Sequence, residues 1–196
     1  MSRVQRTLAW TAAAVAVGIA SSTLRGRRLD EAAFAAVNSD RGPVPDAAFG
    51  AITELGALAA SAGAAAALAT AGHRRAAVRG AAAAGAAWLA GQGLKKVWSR
   101  PRPYDAEHGA RVLVGRPVAT SWPSSHPATL LAFSLTAARE LGLGRGVRAG
   151  LAALSIAVGV SRTHLGVHYP SDVVGGLLLG KAVTEAIASD TSDSRS

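Results

Sequence analysis

Uncharged stretches alternate with short basic ones along most of this sequence. Residues 7–24 carry no charge and follow Arg3 and Arg6. That is the pattern of a first membrane helix entered from the cytoplasm, although a cleaved leader with small residues at Ala20, Ser21 and Ser22 has the same outline. Residues 25–49 mix charges with Asn38, Pro43 and Pro45 at irregular apolar spacing, which predicts an interfacial connection and no span. A second uncharged run, residues 55–72, stops at His73, Arg74 and Arg75, and a third, residues 80–94, stops at Lys95 and Lys96. No helix continues through Arg100-Pro101-Arg102-Pro103, so a polar loop is expected from there to Trp122.

Two further apolar runs, 127–138 and 149–161, are shorter than the roughly 20 residues a bare span needs. They qualify as spans only if flanking polar residues, Ser124, His126 and Arg162 among them, occupy helix ends that face a watery cavity. The last run, 173–187, carries Lys181 and Glu185 toward its end, where a lysine can snorkel to the interface. The expectation is an all-α integral-membrane bundle of about six transmembrane helices, with four as the fallback. They are placed near 7–24, 52–72, 79–98, 124–141, 147–164 and 171–188, in one domain over 1–189 with a polar tail at 190–196.

Composition supports a membrane reading and shapes it. The chain is 49% hydrophobic, with mean hydropathy +0.25, but that content is mostly alanine and glycine. Each span therefore inserts weakly and depends on close packing against its neighbours. The net charge of +9 fits acidic lipid or a phosphate-bearing substrate; no basic stripe with interleaved aromatics points to nucleic acid. With 0 cysteines, disulfides and thiolate metal sites are excluded. Placing both termini in the cytoplasm divides the 21 Lys and Arg residues almost evenly between the two sides, so charge bias alone does not set the orientation.

With six spans, three polar clusters fall at one end of the bundle: Lys95 and Arg102; Ser124, Ser125 and His126; and Arg162, His168 and Asp172. A phosphate monoester carries up to two negative charges, and stabilising its equatorial oxygens calls for several fixed donors. Lys95, Arg102 and Arg162 supply cations, the arginines as planar forks that grip two oxygens at once. Ser124 and Ser125, at a helix start, offer free backbone N–H groups and the positive end of the helix dipole.

In spacing and order these clusters resemble the three-part signature of the type 2 phosphatidic acid phosphatase (PAP2) family. Six residues separate Lys95 from Arg102-Pro103, Pro123-Ser124-Ser125-His126 matches Pro-Ser-Gly-His, and Ser161-Arg162 precedes His168 and Asp172 at the family intervals. Ser125 replaces the usual glycine. The resemblance implies that His168 attacks phosphorus, Asp172 orients it, and His126 protonates the leaving group and later activates water. It further implies no metal or other cofactor, and a site at the extracytoplasmic face of a multi-pass cell-membrane protein. The implied substrate is a membrane lipid phosphate or pyrophosphate such as phosphatidate, phosphatidylglycerol phosphate or polyprenyl diphosphate. Two alternatives use the same residues: vanadium haloperoxidases, which are larger and soluble, and a catalytically inactive phospholipid-binding membrane protein. Outside the signature, His73, His108 and His164 read as structural, Lys96 and Arg100 as headgroup contacts, and Trp98, Trp122 and Tyr104 as an interfacial belt.

Overall fold

The computed structural model describes residues 1–106 and 109–188, so His108 and the tail at 190–196 lie outside the described residues. Nine helices form among them: α1 (Arg3–Ser22), α2 (Leu24–Val37), α3 (Pro43–Glu54), α4 (Leu58–Thr70), α5 (Arg74–Val97), α6 (Pro103–Ala106), α7 (Ser125–Glu140), α8 (Arg145–His164) and α9 (Pro170–Ile187). Local chemistry sets several boundaries. The Ser2 hydroxyl accepts from the Gln5 N–H at 3.2 Å while the Gln5 side chain accepts from the Ser2 N–H at 2.8 Å, a reciprocal cap that starts α1. Pro170 occupies the first position of α9, where its missing N–H costs nothing.

α7 is the central element. It packs on α5, α8, α9 and α4, while α1 lies along α9 and α3 against α8. Alanine makes this closeness possible. Ala83 and Ala87 of α5 meet Ala128 and Ala132 of α7, and Ala76 and Ala84 meet Phe133 and Ala137, so backbones approach where larger side chains would hold them apart. Gly176 of α9 passes so near the loop before α7 that a Cβ there would sit 2.2 Å from the Ser124 carbonyl oxygen.

The connection expected between residues 25 and 49 is largely helical. No single helix among the described residues is long and apolar enough to cross a membrane alone; the pairs α1–α2 and α3–α4 reach that length and composition together, bent by 91° and 59°. α2 and α3 each carry an acid, Asp30 and Asp46, that is answered by distant partners. Asp46 of α3 accepts from Arg111 at 2.8 Å and lies 2.7 Å from His164 Nε2. Asn38, just past α2, donates to the Arg111 and His164 carbonyls at 2.9 and 2.7 Å and accepts from the Arg111 N–H at 2.8 Å.

Asp30 of α2 makes the tie that matters most. Arg100 donates to Asp30 at 2.5 Å and to Asp172 of α9 at 2.7 Å, and its guanidinium lies 4.3 Å over the Tyr169 ring. Asp30 also accepts from the Ser171 N–H at 2.9 Å and from the Ser171 hydroxyl. Arg100 is therefore not a headgroup contact as its sequence position suggested; it is 8% exposed between two buried carboxylates. Trp122 likewise leaves the expected belt, fully buried with its ring 4.6 Å from Trp98.

Removing Arg100 strands two buried acids, a loss of about 3–5 kcal/mol for a broken buried pair. Arg100→Gln should therefore lower the apparent unfolding temperature in detergent strongly. Exposed Lys96→Gln should stay within about 0.5 kcal/mol of the parent. Equal behaviour of the two variants would contradict this account of the fold.

Candidate active site

The polar end of the bundle encloses a cavity of about 180 Å³ lined by residues from all three sequence clusters: Lys95 and Arg102, Ser125 and His126, Arg162 and His168. Each side chain arrives on a different support. Lys95 stands in the last turn of α5, Arg102 on the extended segment before α6, His126 in the first turn of α7, Arg162 in the last turn of α8, and His168 on the loop before α9.

Backbone carbonyls hold the cations in place. Lys95 donates to the carbonyls of Thr120 and Ser121 at 2.8 and 3.2 Å. Arg102 donates to Ala119 and Val167 at 2.7 Å each, which pins the loop before α7 to the loop before α9. Arg162 donates to the Thr53 hydroxyl of α3 at 3.1 Å. No carboxylate lines the cavity among the described residues. Several buried donors there have no protein partner: Arg162 Nε, Ser125 Oγ and, just behind, Ser124 Oγ. Ser124 is the N-cap of α7, and its own N–H is used, donating to the Asp172 carbonyl at 2.9 Å. A buried polar group without a partner is costly, so the Arg162 and Ser125 donors at the cavity are suited to an anion that accepts from both.

His168 is the best-defined group. Its Nδ1 lies 3.3 Å from Asp172 Oδ2, and its Nε2 lies 3.3 Å from Arg102 Nη1 at the cavity wall. A carboxylate at Nδ1 fixes the proton there, so Nε2 at the cavity wall is the unprotonated nitrogen and accepts from Arg102. Burial holds the His168 imidazolium well below its ordinary value of 6.5, outweighing the Asp172 carboxylate, which acts in the opposite sense. Asp172 is fully buried and saturated: Oδ1 accepts from Arg100, and Oδ2 from the Tyr169 N–H at 2.8 Å, from the Ser121 hydroxyl and from His168.

Three participants did not stand out in the sequence: Arg100, Asp30 and Ser121. Arg100 sits inside the first cluster, and its adjacency to Arg102 was the available signal. Asp30 offered none beyond being an acid in a basic stretch. Gly56, in the α3–α4 break, and the apolar pair Leu58 and Trp88 complete one side of the cavity. Leu58 and Trp88 are also 40% and 37% exposed, so the polar cavity continues into an apolar outer surface. His164 turns away, with its ring 4.3 Å from Phe49. Among the described residues no group of three or more His, Asp or Glu side chains is arranged to hold a metal ion.

Known proteins share both the sequence features and the fold. The profile of the PAP2 superfamily matches residues 75–195. Over 91 residues the sequence is 38% identical to decaprenylphosphoryl-5-phosphoribose phosphatase of Mycobacterium tuberculosis, covering 46% of this chain and 47% of that protein. The chain thus matches about half the length of that relative. The fold resembles that of a transmembrane PAP2-type phosphatidylglycerolphosphate phosphatase from Bacillus subtilis, with a TM-score of 0.75 and 21% identity over 93% of this chain and 94% of the other. It also resembles LpxE of Aquifex aeolicus, with a TM-score of 0.71 and 22% identity over 79% and 91% of the two chains. With a family profile that spans well over half of its length and its three clusters gathered around one cavity, this chain belongs to the PAP2 superfamily.

Proposed function

We propose that the protein is a multi-pass membrane phosphatase that removes a terminal phosphate from a lipid at the extracytoplasmic face, through a phosphohistidine intermediate. One observation carries this reading: two histidines and three cations line a small cavity with no carboxylate among the described residues that form it. Such a site attracts a phosphate dianion and repels nothing in it. Membership of the PAP2 superfamily and the phosphatase names of its relatives point the same way.

In the proposed reaction, Lys95, Arg102 and Arg162 hold the non-bridging oxygens, with the Ser125 hydroxyl and the first turn of α7 adding donors. The His168 Nε2 lone pair attacks phosphorus as the bond to the lipid oxygen breaks, and the Nδ1 proton stays between the ring and Asp172. His126 donates a proton to the departing oxygen and then accepts one from water. That water oxygen attacks phosphorus, the P–N bond breaks, and inorganic phosphate leaves with His168 restored. Ser124 supports the arrangement from behind the wall. The exposed Leu58 and Trp88 give the apolar part of the substrate a surface to lie on while its phosphate enters the cavity.

The name of the Mycobacterium tuberculosis relative favours a polyprenyl-linked phosphate in the substrate panel, beside phosphatidylglycerol phosphate and phosphatidate. Purified protein in detergent should release phosphate from at least one of them with chelator present. His168→Ala should lower that release by more than about 1,000-fold, the scale of losing a covalent nucleophile. Brief reaction with a 32P-labelled substrate should leave alkali-stable, acid-labile label on the parent protein and none on His168→Ala. A variant that turns over normally, or a parent that never acquires label, sinks the phosphohistidine step. Failure to hydrolyse any lipid would favour an inactive phospholipid-binding protein.

The pH dependence has a defined sign. His168 attacks only when neutral, and burial extends its neutral form below 6.5. The acid limb of kcat/KM should therefore fall below that value, and the opposite placement would mean that His168 is not the group titrating in the free enzyme.

A further inference from the structure

The opposite end of the bundle carries a second concavity with a different character. A groove of about 460 Å³ runs between α1, α7, α8 and α9, floored by Trp10, Leu131, Leu135, Ala152, Ile156 and Leu177. Its rim is cationic, formed by Arg139, Arg145, Arg148 and Lys181. Its rim at Arg139 lies about 20 Å along α7 from the Ser125 end at the catalytic cavity, at about 1.5 Å per residue, while its floor reaches up to Leu131, two residues past Thr129 of the cavity wall.

The rim charges are not equivalent. Arg139 and Lys181 each donate to Glu185 at 2.5 Å, and Arg6 meets the same carboxylate at 3.0 Å. Arg75 and Arg79 are committed to Glu140 at 2.6 and 2.8 Å. Arg145 and Arg148 have no side-chain partner among the described residues, although Arg148 is only half exposed. Arg139 and Arg148 also line a larger cavity of about 870 Å³ next to the groove, with Arg6, Arg75, Thr136 and Glu140 around it. The apolar groove thus opens directly onto a polar, predominantly cationic space.

We propose that this end binds one anionic phospholipid, with an acyl chain along the groove and its phosphodiester headgroup against Arg145 and Arg148. The occupant follows from charge and shape together. The floor requires a hydrocarbon chain, the adjoining space accepts a polar group, and the two arginines lack the negative partner that the other cations there already have. A soluble anion would leave the groove unfilled, and a zwitterionic lipid would bring its own ammonium into a basic site. The inference rests on the membrane reading above. It places this lipid in the leaflet opposite the one that presents substrate.

The test uses the full-length protein in neutral detergent, with lipid retention read by native mass spectrometry for dioleoyl phosphatidylglycerol and dioleoyl phosphatidylcholine. The parent should retain a single phosphatidylglycerol in preference to phosphatidylcholine by about thirtyfold, given about 1 kcal/mol for each of the two basic residues near an anionic headgroup. Arg145→Gln with Arg148→Gln should erase the preference and leave phosphate release unchanged. Ala152→Phe, which fills the groove and keeps the charges, should lose the bound lipid by a different route. Arg102→Gln in the catalytic cavity should keep it. Equal retention of the two lipids by the parent, an intact preference in the double variant, or loss of the preference in Arg102→Gln would each overturn the proposal. Alkaline carbonate washing of membranes separates the two levels of the argument: release of the chain into the wash removes the membrane reading itself, while retention confines any failure to the lipid site.

Discussion

The fully buried carboxylate of Asp172 is the constraint around which the catalytic end is built. An ionised carboxylate inside a bundle of alanine-rich helices is expensive unless every lone pair is answered, and here the donors come from separate parts of the chain: Arg100, Ser121, Tyr169 and His168. Those bonds fix the ring of His168, the approach to α7 and the start of α9 relative to one another. They also set the charge of the cavity. Asp30 and Asp172 share Arg100, which leaves one net negative charge behind the wall that carries Lys95, Arg102 and Arg162. The cavity stays positive because the three cations that line it outnumber that one charge.

The chain reads in two registers. The long apolar runs and the spacing of Lys95, Arg102, Ser124, His126, Arg162, His168 and Asp172 are local properties, and a sequence displays local properties directly. What it does not display is partnership across distance. Asp30 and Arg100 are 70 positions apart, and each alone looks like an ordinary surface charge. Trp122 looks like an interfacial aromatic until α1 and α9 close over it, at Gly18 and Gly175. α2 and α3 were hidden for the same reason, since Asp30 and Asp46 look like surface acids but point inward to Arg100, Arg111 and His164.

The brevity of the helices follows from the chemistry at their ends. α7 has 16 residues, about 24 Å, less than the roughly 30 Å of a hydrocarbon core. At one end it gives way to the phosphate-sized cavity and at the other to the cluster around Glu185 and Glu140. Residues that would have extended the apolar span serve those polar ends instead. The bundle is held together by small-residue contacts along α5 and α7 rather than by the hydrophobicity of any one helix.

The Asp30–Arg100 tie also bears on where the functional unit of this protein begins. The family profile starts at residue 75, yet the segment before it supplies Asp30 to Arg100, Thr53 to Arg162, Asn38 and Asp46 to the loops flanking the last turn of α8, and Gly56 to the cavity wall. The recognisable portion of the chain contains every residue proposed to touch phosphate but not the scaffold that holds several of them. A boundary drawn from the family profile alone would cut through the proposed site, keeping the groups that line the cavity and discarding the geometry they depend on.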